Sequence, residues 1–450
     1  MGYLETSLKY NNKSLVAVLS LIISTSSFAA INLSGLVGLE TRYFIQTPVD
    51  SEQTDEQLSL NFSPELYWEG DDQSVLFKPY VRLDSVDSNR SHFDIREAIY
   101  STYHDTFELK VGIGKVFWGV TETLNLVDVV NQNDAIDRFD ENEKLGQPMF
   151  HFSTFSDWGN VELLILPFFR PVIFPGDKTR FRPTPIVLRA LNSGRSNGIG
   201  PTYIDIRIDN SDPTYEAKNG ESHIDLASRW TNSIDNWDLG VSWFNGTSRE
   251  PNFNVSIDSD VLSTGQVTLK PFYPLINQFG IDTQYIYDDW ILKLESINRS
   301  GDKIKNYTAF VTGFEYNFYA IQDSMIDIGM IVEYAWDSRD KIKNLNENMS
   351  NLEDIKRQIE SNNLSINRNN ISVASRFTFN DVESSELLIG TNQNLDYKGS
   401  RTIFIDISTR VGESTKISAN ATFIWSDDPF DPSYMFRQDD YIQVTAEYYF

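Results

Sequence analysis

Apolar and polar residues alternate along most of this chain. In KISANATFIW (416–425), every second residue from Ile417 to Trp425 is apolar, and the intervening positions from Lys416 to Thr422 are polar. Successive side chains of a β-strand point to opposite faces of a sheet, so this period of two indicates a strand. The pattern therefore predicts strands that have one apolar face and one polar face.

Eighteen segments share this pattern. They lie near 33–45, 58–68, 74–84, 93–103, 106–117, 148–155, 159–168, 222–231, 236–246, 278–288, 290–298, 306–318, 324–336, 369–380, 384–394, 401–411, 414–426 and 440–450. A strand of about 9–11 residues is long enough to cross a membrane when it tilts within a closed barrel. The segments predict an all-β fold, namely a transmembrane antiparallel up-and-down β-barrel of about 18 strands, within a range of roughly 16–20, with long extracellular loops.

The links between these segments alternate in length. The even-numbered links are short, for example 104–106 and 288–289, whereas the odd-numbered links include every long one: 118–147, 169–221, 247–277, 337–368 and 427–439. Outer-membrane barrels join their strands by short periplasmic turns and longer outer loops. A further strand near 266–273 would break this alternation, so we assign that segment to a loop, with a short hairpin arm as one form it can take.

The amino terminus has the features of an export signal. Lys9 and Lys13 precede the apolar run SLVAVLSLIIS (14–24), and Ser27 and Ala29 form a small-x-small cleavage site. This three-part order is typical of a secretory signal peptide, and the apolar run is too short to span a bilayer. The alternative, a buried N-terminal helix, lacks an amphipathic period. We expect a signal peptide at 1–29 and a single barrel domain at 30–450.

Composition narrows the function classes. The chain contains no cysteine, which removes thiol chemistry and disulfide stapling. Loss of Lys9, Lys13 and Glu5 with the signal peptide would change the net charge from −26 to −27, which disfavours binding to nucleic acid. Aromatic residues make up 13% of the chain, more than a disordered acidic chain would carry. A mean hydropathy of −0.35 is compatible with strands of which one face is polar.

The chain ends on an alternating strand, YIQVTAEYYF (441–450). In a closed barrel the last strand pairs with the first and can stay ordered to its final residue. The terminal aromatic residue and the apolar residues before it resemble the sorting signal of Gram-negative outer-membrane proteins, which the barrel-assembly machinery reads. The resemblance rests on Ile442, Val444, Tyr448 and Phe450. It implies a location in the outer membrane of a Gram-negative bacterium after signal-peptide export.

The architecture also carries a resemblance. Eighteen strands in about 420 mature residues resemble the substrate-specific porins, which include sugar porins and the basic amino acid and carboxylate porins. The chain shows no diagnostic motif of either group. A second resemblance lies in KVFWGVTETLNLVDVVNQND (115–134), which matches a K-x-x-W-G … D-x-x-N-x-x-D pattern of poorly characterised outer-membrane barrels. No chemistry is assigned to that pattern.

Two long loops carry opposite charges. One hypothesis is that both dip into the lumen and create a transverse field at a constriction, because rings of charged side chains select permeants. The alternative is that both are solvated outer loops, whose arginines bridge lipopolysaccharide phosphates or loop carboxylates. The apolar piece LNLVDVVN (124–131) is expected to pack against the barrel wall or another loop. The constriction candidates are Glu122, Asp128, Asp134, Asp137, Arg170, Arg180, Arg182 and Arg189.

The pleat of the strands assigns further charged residues to the lumen. Such residues would tune selectivity, and a register error of one residue would turn each of them to the other face. The lumen-facing candidates are Lys78, Arg82, Glu108, Lys110, Lys293, Glu295, Asp327 and Glu333.

The sequence gives little support for catalysis or metal binding. The only histidines are His92, His104, His151 and His223, and none lies in a G-x-S-x-G or H-E-x-x-H context. The acid-rich stretch 426–440 lacks the spaced ligands and glycine of a dedicated calcium loop. We expect no enzymatic activity, no cofactor and no metal site.

These observations favour an outer-membrane pore for passive diffusion of small hydrophilic solutes, narrowed by long charged loops. One alternative is a non-transporting surface barrel, an adhesin or envelope scaffold that binds partners through its loops. A further alternative is an exporter of polysaccharide or hydrophobic compounds, for which an apolar or strongly basic lumen is expected. The partners expected are outer-membrane lipid and lipopolysaccharide, the barrel-assembly machinery and the solute, and the porin resemblance allows a trimer.

Overall fold

The computed structural model describes residues 31–48, 52–136, 143–176, 178–182, 186–188, 202–256, 266–339, 368–428 and 431–450. The predicted signal peptide and the candidates Asp137 and Arg189 lie outside these ranges. The described residues form one closed antiparallel barrel of eighteen strands and a second, five-stranded sheet. In the described ranges, no helix has the length and apolar character needed to cross a membrane.

Each barrel strand pairs with its neighbours along the chain, and the first strand pairs with the last to close the barrel. The barrel strands are β1 (Asn32–Phe44), β2 (Glu56–Glu69), β3 (Gln73–Asp84), β4 (His92–Tyr103), β5 (Phe107–Gly114), β6 (Gln147–Ser156), β7 (Gly159–Leu166), β11 (Asp225–Ile234), β12 (Trp237–Thr247), β15 (Leu275–Tyr287), β16 (Trp290–Ser300), β17 (Tyr307–Phe318), β18 (Asp327–Asp337), β19 (Asn369–Thr378), β20 (Glu386–Asn394), β21 (Arg401–Val411), β22 (Thr415–Trp425) and β23 (Tyr441–Tyr449).

The barrel prediction is confirmed, since each of the eighteen predicted segments overlaps one barrel strand. The alternation of link lengths is confirmed as well. The even-numbered links run from two residues (288–289) to eight (319–326), and all the long links are odd-numbered. We call the end of the barrel that carries the odd-numbered links the outer end.

The outer surface of the barrel is apolar. On β2, for example, Leu58, Leu60 and Phe62 are exposed, whereas Ser59 and Asn61 between them are buried. Soluble proteins bury such residues, so a strand that exposes its apolar face and buries its polar face is suited to a lipid environment. Closure pairs the edge strands as well, which satisfies the backbone groups that lipid cannot solvate. The chain thus has the architecture of an outer-membrane β-barrel.

The last residue takes part in the closure. The backbone N–H of Phe450 donates to the carbonyl of Gly35, and the N–H of Gly35 donates to the carbonyl of Phe450, each at 3.1 Å. The ring of Phe450 stacks on that of Phe62 at 6.1 Å on the outer surface. This pairing explains why the chain keeps its alternating pattern to its final residue.

The second sheet is built from the links 167–224 and 248–274 at the outer end. The segment 266–273 stays out of the barrel, as predicted, and it takes the form of a hairpin arm, since it is a strand that pairs in antiparallel fashion with 252–256. Sequence reasoning missed the other strands of this sheet. Its strands are β8 (Ile186–Leu188), β9 (Thr202–Ile208), β10 (Thr214–Tyr215), β13 (Asn252–Ser256) and β14 (Gln266–Tyr273).

Candidate functional site: a lumen filled from one side

The link between β5 and β6 runs inside the barrel. Its residues contact inward-facing side chains on β16 and β18, strands that are not neighbours of β5 or β6. Trp118, near the start of this link, is buried, and the guanidinium of Arg229 on β11 lies 5.6 Å from its ring. The first described part of this link, residues 115–136, therefore enters the lumen, and we call it the lumen loop.

The carboxylate of Glu295, on β16, anchors the first half of the lumen loop. Its Oε1 accepts hydrogen bonds from the N–H of Val120 at 2.7 Å and from the N–H and hydroxyl of Thr121 at 3.0 and 2.8 Å. Its Oε2 accepts from the N–H of Val127 at 3.2 Å. A carboxylate that accepts several backbone N–H groups satisfies donors that a loop without regular structure would otherwise leave unpaired.

A glycine makes this approach feasible. Gly119 has a φ of 137°, a conformation that residues with side chains rarely adopt, and a Cβ at this position would lie 2.8 Å from Oε1 of Glu295. The loop backbone thus comes too close to the carboxylate to leave room for a side chain. This contact gives a physical reason for the W-G pair in the 115–134 pattern.

Glu333, on β18, anchors the tip of the lumen loop. Its two carboxylate oxygens accept from the N–H of Glu122 at 2.8 Å and from the N–H of Thr123 at 2.9 Å, and the hydroxyl of Thr123 donates as well. The side chain of Glu122 pairs with Lys293 at 2.6 Å, and its other oxygen lies 3.8 Å from Arg376. The tip is therefore held by carboxylates and cations of the wall.

The polar residues of the D-x-x-N-x-x-D pattern hold the two ends of the loop together. Asn131 accepts from the N–H of Val116 at 2.9 Å and donates to the carbonyls of Gly114 and Leu145. Asp128 pairs with Lys144 at 3.2 Å, and Asp134 pairs with Arg96 on β4. The pattern thus acts in positioning the loop within the lumen.

The apolar piece 124–131 packs inside the barrel, which agrees with the sequence-based expectation. Val127 and Val130 are fully buried against inward-facing apolar residues of the wall. Burial of each such side chain contributes about 1.5–3 kcal/mol. The buried cluster comprises Trp118, Val127, Val129, Val130, Met149, Leu164, Leu166, Ala227, Phe244, Ile276, Ile297, Tyr307 and Ala309.

The second charged link, between β7 and β11, follows the inner wall at the outer end. Arg170 pairs with Asp94 on β4 at 2.7 Å and donates to the carbonyl of Gly146 in the first link. Arg96 lies 3.3 Å from the same Asp94. The two charged links therefore meet through the wall residues Asp94 and Arg96. Arg180 and Arg182 are buried farther along the same link.

All eight lumen-facing candidates lie on inward-facing positions. Lys78 pairs with Glu65, Arg82 with Glu40, and Lys110 with Glu108, at 3.1–3.3 Å. Asp327 accepts from the N–H of Ala320 and the amide of Asn380 in the short links. Lys293, Glu295 and Glu333 hold the lumen loop, as described above. Their influence on selectivity stays a prediction.

The inward-facing residues differ in exposure around the barrel, and many outside β20–β23 are buried, for example Glu40 on β1 and Ser59 on β2. Inward-facing residues of β15 to β18, such as Asp282, Ile297 and Val311, are buried beneath the loop. On β20 to β23 most inward-facing residues are partly exposed and polar, although Asn394 and Ile424 near the outer end are buried. The partly exposed residues include Thr402, Asp406, Ser408, Lys416, Ser418, Asn420, Thr422, Gln443, Thr445 and Glu447. We call the inward face of β20–β23 the open wall.

Three residues of β6 and β7 resemble a hydrolytic triad in type. Ser153 Oγ lies 3.1 Å from Nε2 of His151, and Glu162 Oε2 lies 3.1 Å from the same nitrogen. In a Ser–His–acid relay the nucleophile and the acid contact different ring nitrogens. Because both contacts fall on Nε2, these residues form a polar cluster of the wall and lack the geometry of a relay. The sequence motifs had not singled out this cluster.

Neither a protein-family model nor a curated protein matches the chain. Among solved structures, a mutant porin of Rh. blastica matches with a TM-score of 0.40 and 12% identity over 94% of this chain and 100% of that chain. Wzi, an outer membrane protein involved in group 1 capsule assembly in Escherichia coli and titled a carbohydrate binding β-barrel, matches with a TM-score of 0.45 and 12% identity over 91% and 83%. The barrel assignment rests on the strand pairing of this chain.

Proposed function

We propose that this protein is an outer-membrane pore for passive diffusion of small hydrophilic solutes, and that the solutes pass along the open wall. The observation that carries the proposal is the difference in exposure between the two sides of the lumen. A diffusion pathway needs inward-facing polar groups that water reaches, and β20–β23 provide them from Lys416 at the short-link end to Thr422 nearer the outer end.

The open wall suits polar solutes of either charge. Hydroxyl and amide groups of Ser418, Asn420 and Gln443 both donate and accept hydrogen bonds, so they can replace part of the hydration shell of a solute. Asp406 and Glu447 add negative charges, and Lys416 adds a positive charge. A mixed lining of this kind fits small hydrophilic solutes better than the apolar or strongly basic lining expected of an exporter.

The fixed lumen loop supports the same proposal. Glu295 and Glu333 hold the loop against β16 and β18, so its tip keeps a constant distance from the opposite wall. A loop with such anchors narrows a pore to a defined width, whereas a loosely held loop would give a fluctuating one. Glu122 and Arg376, at the tip, are partly exposed and would border the pathway.

A specific observation favours the alternative of a non-transporting surface barrel. The buried cluster around Val127 and Trp118 fills one side of the lumen, and an additional sheet stands at the outer end. A barrel used only as a platform for loops would benefit from such filling. Under this alternative the open wall would be closed by further chain and would conduct no ions.

Conductance across a planar lipid bilayer tests the proposal. The mature chain would be refolded, and folding would be verified by circular dichroism and heat-modifiable gel mobility. We expect steady single-channel steps and a reversal potential in a salt gradient that reports the ion preference. Competition by added solutes would then identify the permeant class. Silence from protein verified as folded would contradict the pore and favour the surface barrel.

A further inference from the structure

A short segment of the link between β7 and β11 crosses the wall at the outer end. Residues 178–182, which we call the strap, lie against the link between β1 and β2. The N–H of Thr54 donates to the carbonyl of Lys178 at 3.2 Å, and the amide of Gln53 donates to the carbonyl of Thr179 at 2.9 Å. The strap therefore joins the outer ends of strands that are far from its own strands in the barrel.

Arg180 is the central contact of the strap. Its side chain is completely buried, and the guanidinium lies 5.1 Å from the ring of Phe44. A buried guanidinium is stable only when its donors are paired. In the described part of the chain its acceptors are the carbonyls of Gln46, Thr54 and Gln438 and the carboxylates of Asp55 and Asp439. One side chain thus ties together three outer links.

Phe181 is held in an unfavourable backbone conformation. Its φ of 61° is left-handed, which costs about 1–2 kcal/mol for a residue with a side chain. Its N–H donates to Asp439 at 3.1 Å, and its ring packs against Phe44 at 5.6 Å and Tyr441 at 5.3 Å. The surrounding contacts therefore offset a local strain that release of the strap would relieve.

The strap stands directly above one edge of the open wall. The guanidinium of Arg42 on β1 lies 5.5 Å from the ring of Phe181 and donates to Oε1 of Gln443, an inward-facing residue of β23, at 2.8 Å. Arg42 thus connects the strap to the polar lining below it. Phe44, Phe181, Ile424, Met435 and Phe436 close over this edge as a buried apolar cluster.

From these contacts we propose that the strap is a releasable closure of the outer mouth above β1 and β23, with Arg180 as its latch. This inference rests on the proposed pore function and adds a means of regulating it. With the strap in place, the apolar cluster restricts access to the open wall. With the strap released, the left-handed turn at Phe181 relaxes and the outer end of the open wall becomes accessible.

Substitution of the latch is the first part of the test. Arg180→Ala leaves the buried carboxylate of Asp439 without its cation, which is strongly destabilising for a buried pair. We expect the single-channel conductance of this variant to rise about twofold or more, as expected when a lid opens. Lys218→Ala is the matched control, because Lys218 is an exposed cation of the same link, outside the strap and the lumen loop. Its conductance should stay close to that of the wild type.

A reversible cross-link provides the second part. The chain has no cysteine, so Thr54→Cys with Lys178→Cys would place a single pair where the strap meets the β1–β2 link. In the Arg180→Ala background, we expect oxidation of the pair to restore the wild-type conductance and reduction to raise it again. This cycle compares one folded protein with itself, so a folding defect cannot imitate the result.

The outcomes separate this inference from the proposed function. A wild-type pore whose conductance is unaffected by Arg180→Ala and by the state of the cysteine pair would overturn the closure alone. Silence of the wild type and of every variant, with folding verified by gel mobility, would overturn both the pore and the closure. A conductance that falls when the cysteine pair is oxidised and rises when it is reduced supports both the pore and the closure.

Discussion

The carboxylate of Glu295 binds Thr121 twice, through the backbone N–H at 3.0 Å and through the hydroxyl at 2.8 Å. One residue belongs to a barrel strand and the other to the lumen loop, so this pair fixes the loop to the wall. Both residues are buried. The width of the lumen therefore depends on a contact that a single substitution can remove.

We predict that Glu295→Leu loosens the lumen loop. The substitution leaves the N–H groups of Val120, Thr121 and Val127 without their acceptor, and each buried unpaired donor costs about 1–3 kcal/mol. We expect lower resistance to heat in the gel-mobility assay and a noisier, larger conductance. Glu447→Gln, which alters an inward-facing carboxylate of the open wall, should leave the melting behaviour unchanged. Equal melting of the two variants would contradict the anchor.

Gly119→Ala tests the close approach of the loop to Glu295. The added Cβ meets a left-handed φ, the amide of Asn125 at 2.5 Å and the carboxylate oxygen of Glu295 at 2.8 Å, so we expect a destabilisation above the ~1–2 kcal/mol of a left-handed residue alone. Gly412→Ala is the matched control, because Gly412 also has a positive φ but no atom within 4 Å of its Cβ position. Urea-induced unfolding of both variants measures the difference. If Gly119→Ala lowers the free energy of unfolding no more than Gly412→Ala does, the steric argument is wrong.

The barrel was predictable from the sequence for a physical reason. A strand between lipid and lumen must alternate apolar and polar residues. Leu60, which is exposed on the outer surface, and Asn61, which is buried inside, are neighbouring examples. The links on one side of the membrane are short and those on the other side include the long ones. The alternation of link lengths along the chain therefore indicated which links share a side. Of the small outer sheet, the sequence indicated only the arm at 266–273, and strands such as 214–215 are too short to show a period.

The roles within the lumen were less predictable. The pleat assigned Glu295 and Glu333 to the lumen, but their task as anchors depends on a loop that is more than 160 positions away along the chain. One hypothesis placed Asp134 and Arg170 on opposing charged walls, yet both contact one wall, Asp134 at Arg96 and Arg170 at Asp94. Such pairings depend on the path of each link, which periodicity does not encode.

Substitutions at neighbouring positions of β22 test the pathway along the open wall. Ser418 faces inward, whereas Ala419 pairs with the exposed Val444 and faces lipid. We predict that Ser418→Trp lowers the single-channel conductance to roughly half or less, because a bulky side chain narrows a water-filled path. Ala419→Trp places the same side chain in lipid and should leave the conductance unchanged. Equal conductance of both variants and the wild type would place the pathway elsewhere.

The strap is also expected to respond to pH through Asp439. Burial is the main cause that raises the pKa of Asp439 to about 7, opposed by the Phe181 N–H and by Arg180. The neighbouring carboxylate of Asp440 raises this pKa further. On the β1–β2 link, Asp55 shares Arg180, and Arg42 of β1 lies beneath Phe181. With the strap released, the pKa of Asp439 would return toward its ordinary value of about 3.9.

A group that binds a proton more tightly in the closed form makes that form more stable as protons are added. We therefore predict that closure is strongest below the ordinary pKa, at about pH 4, and weakens as the pH rises through about 7. The conductance should accordingly increase between pH 5 and 8.5, measured at constant salt. Asp439→Asn, neutral at every pH, should lose this dependence, whereas Asp427→Asn in the same link should keep it. An unchanged pH profile in Asp439→Asn would show that another group sets the response.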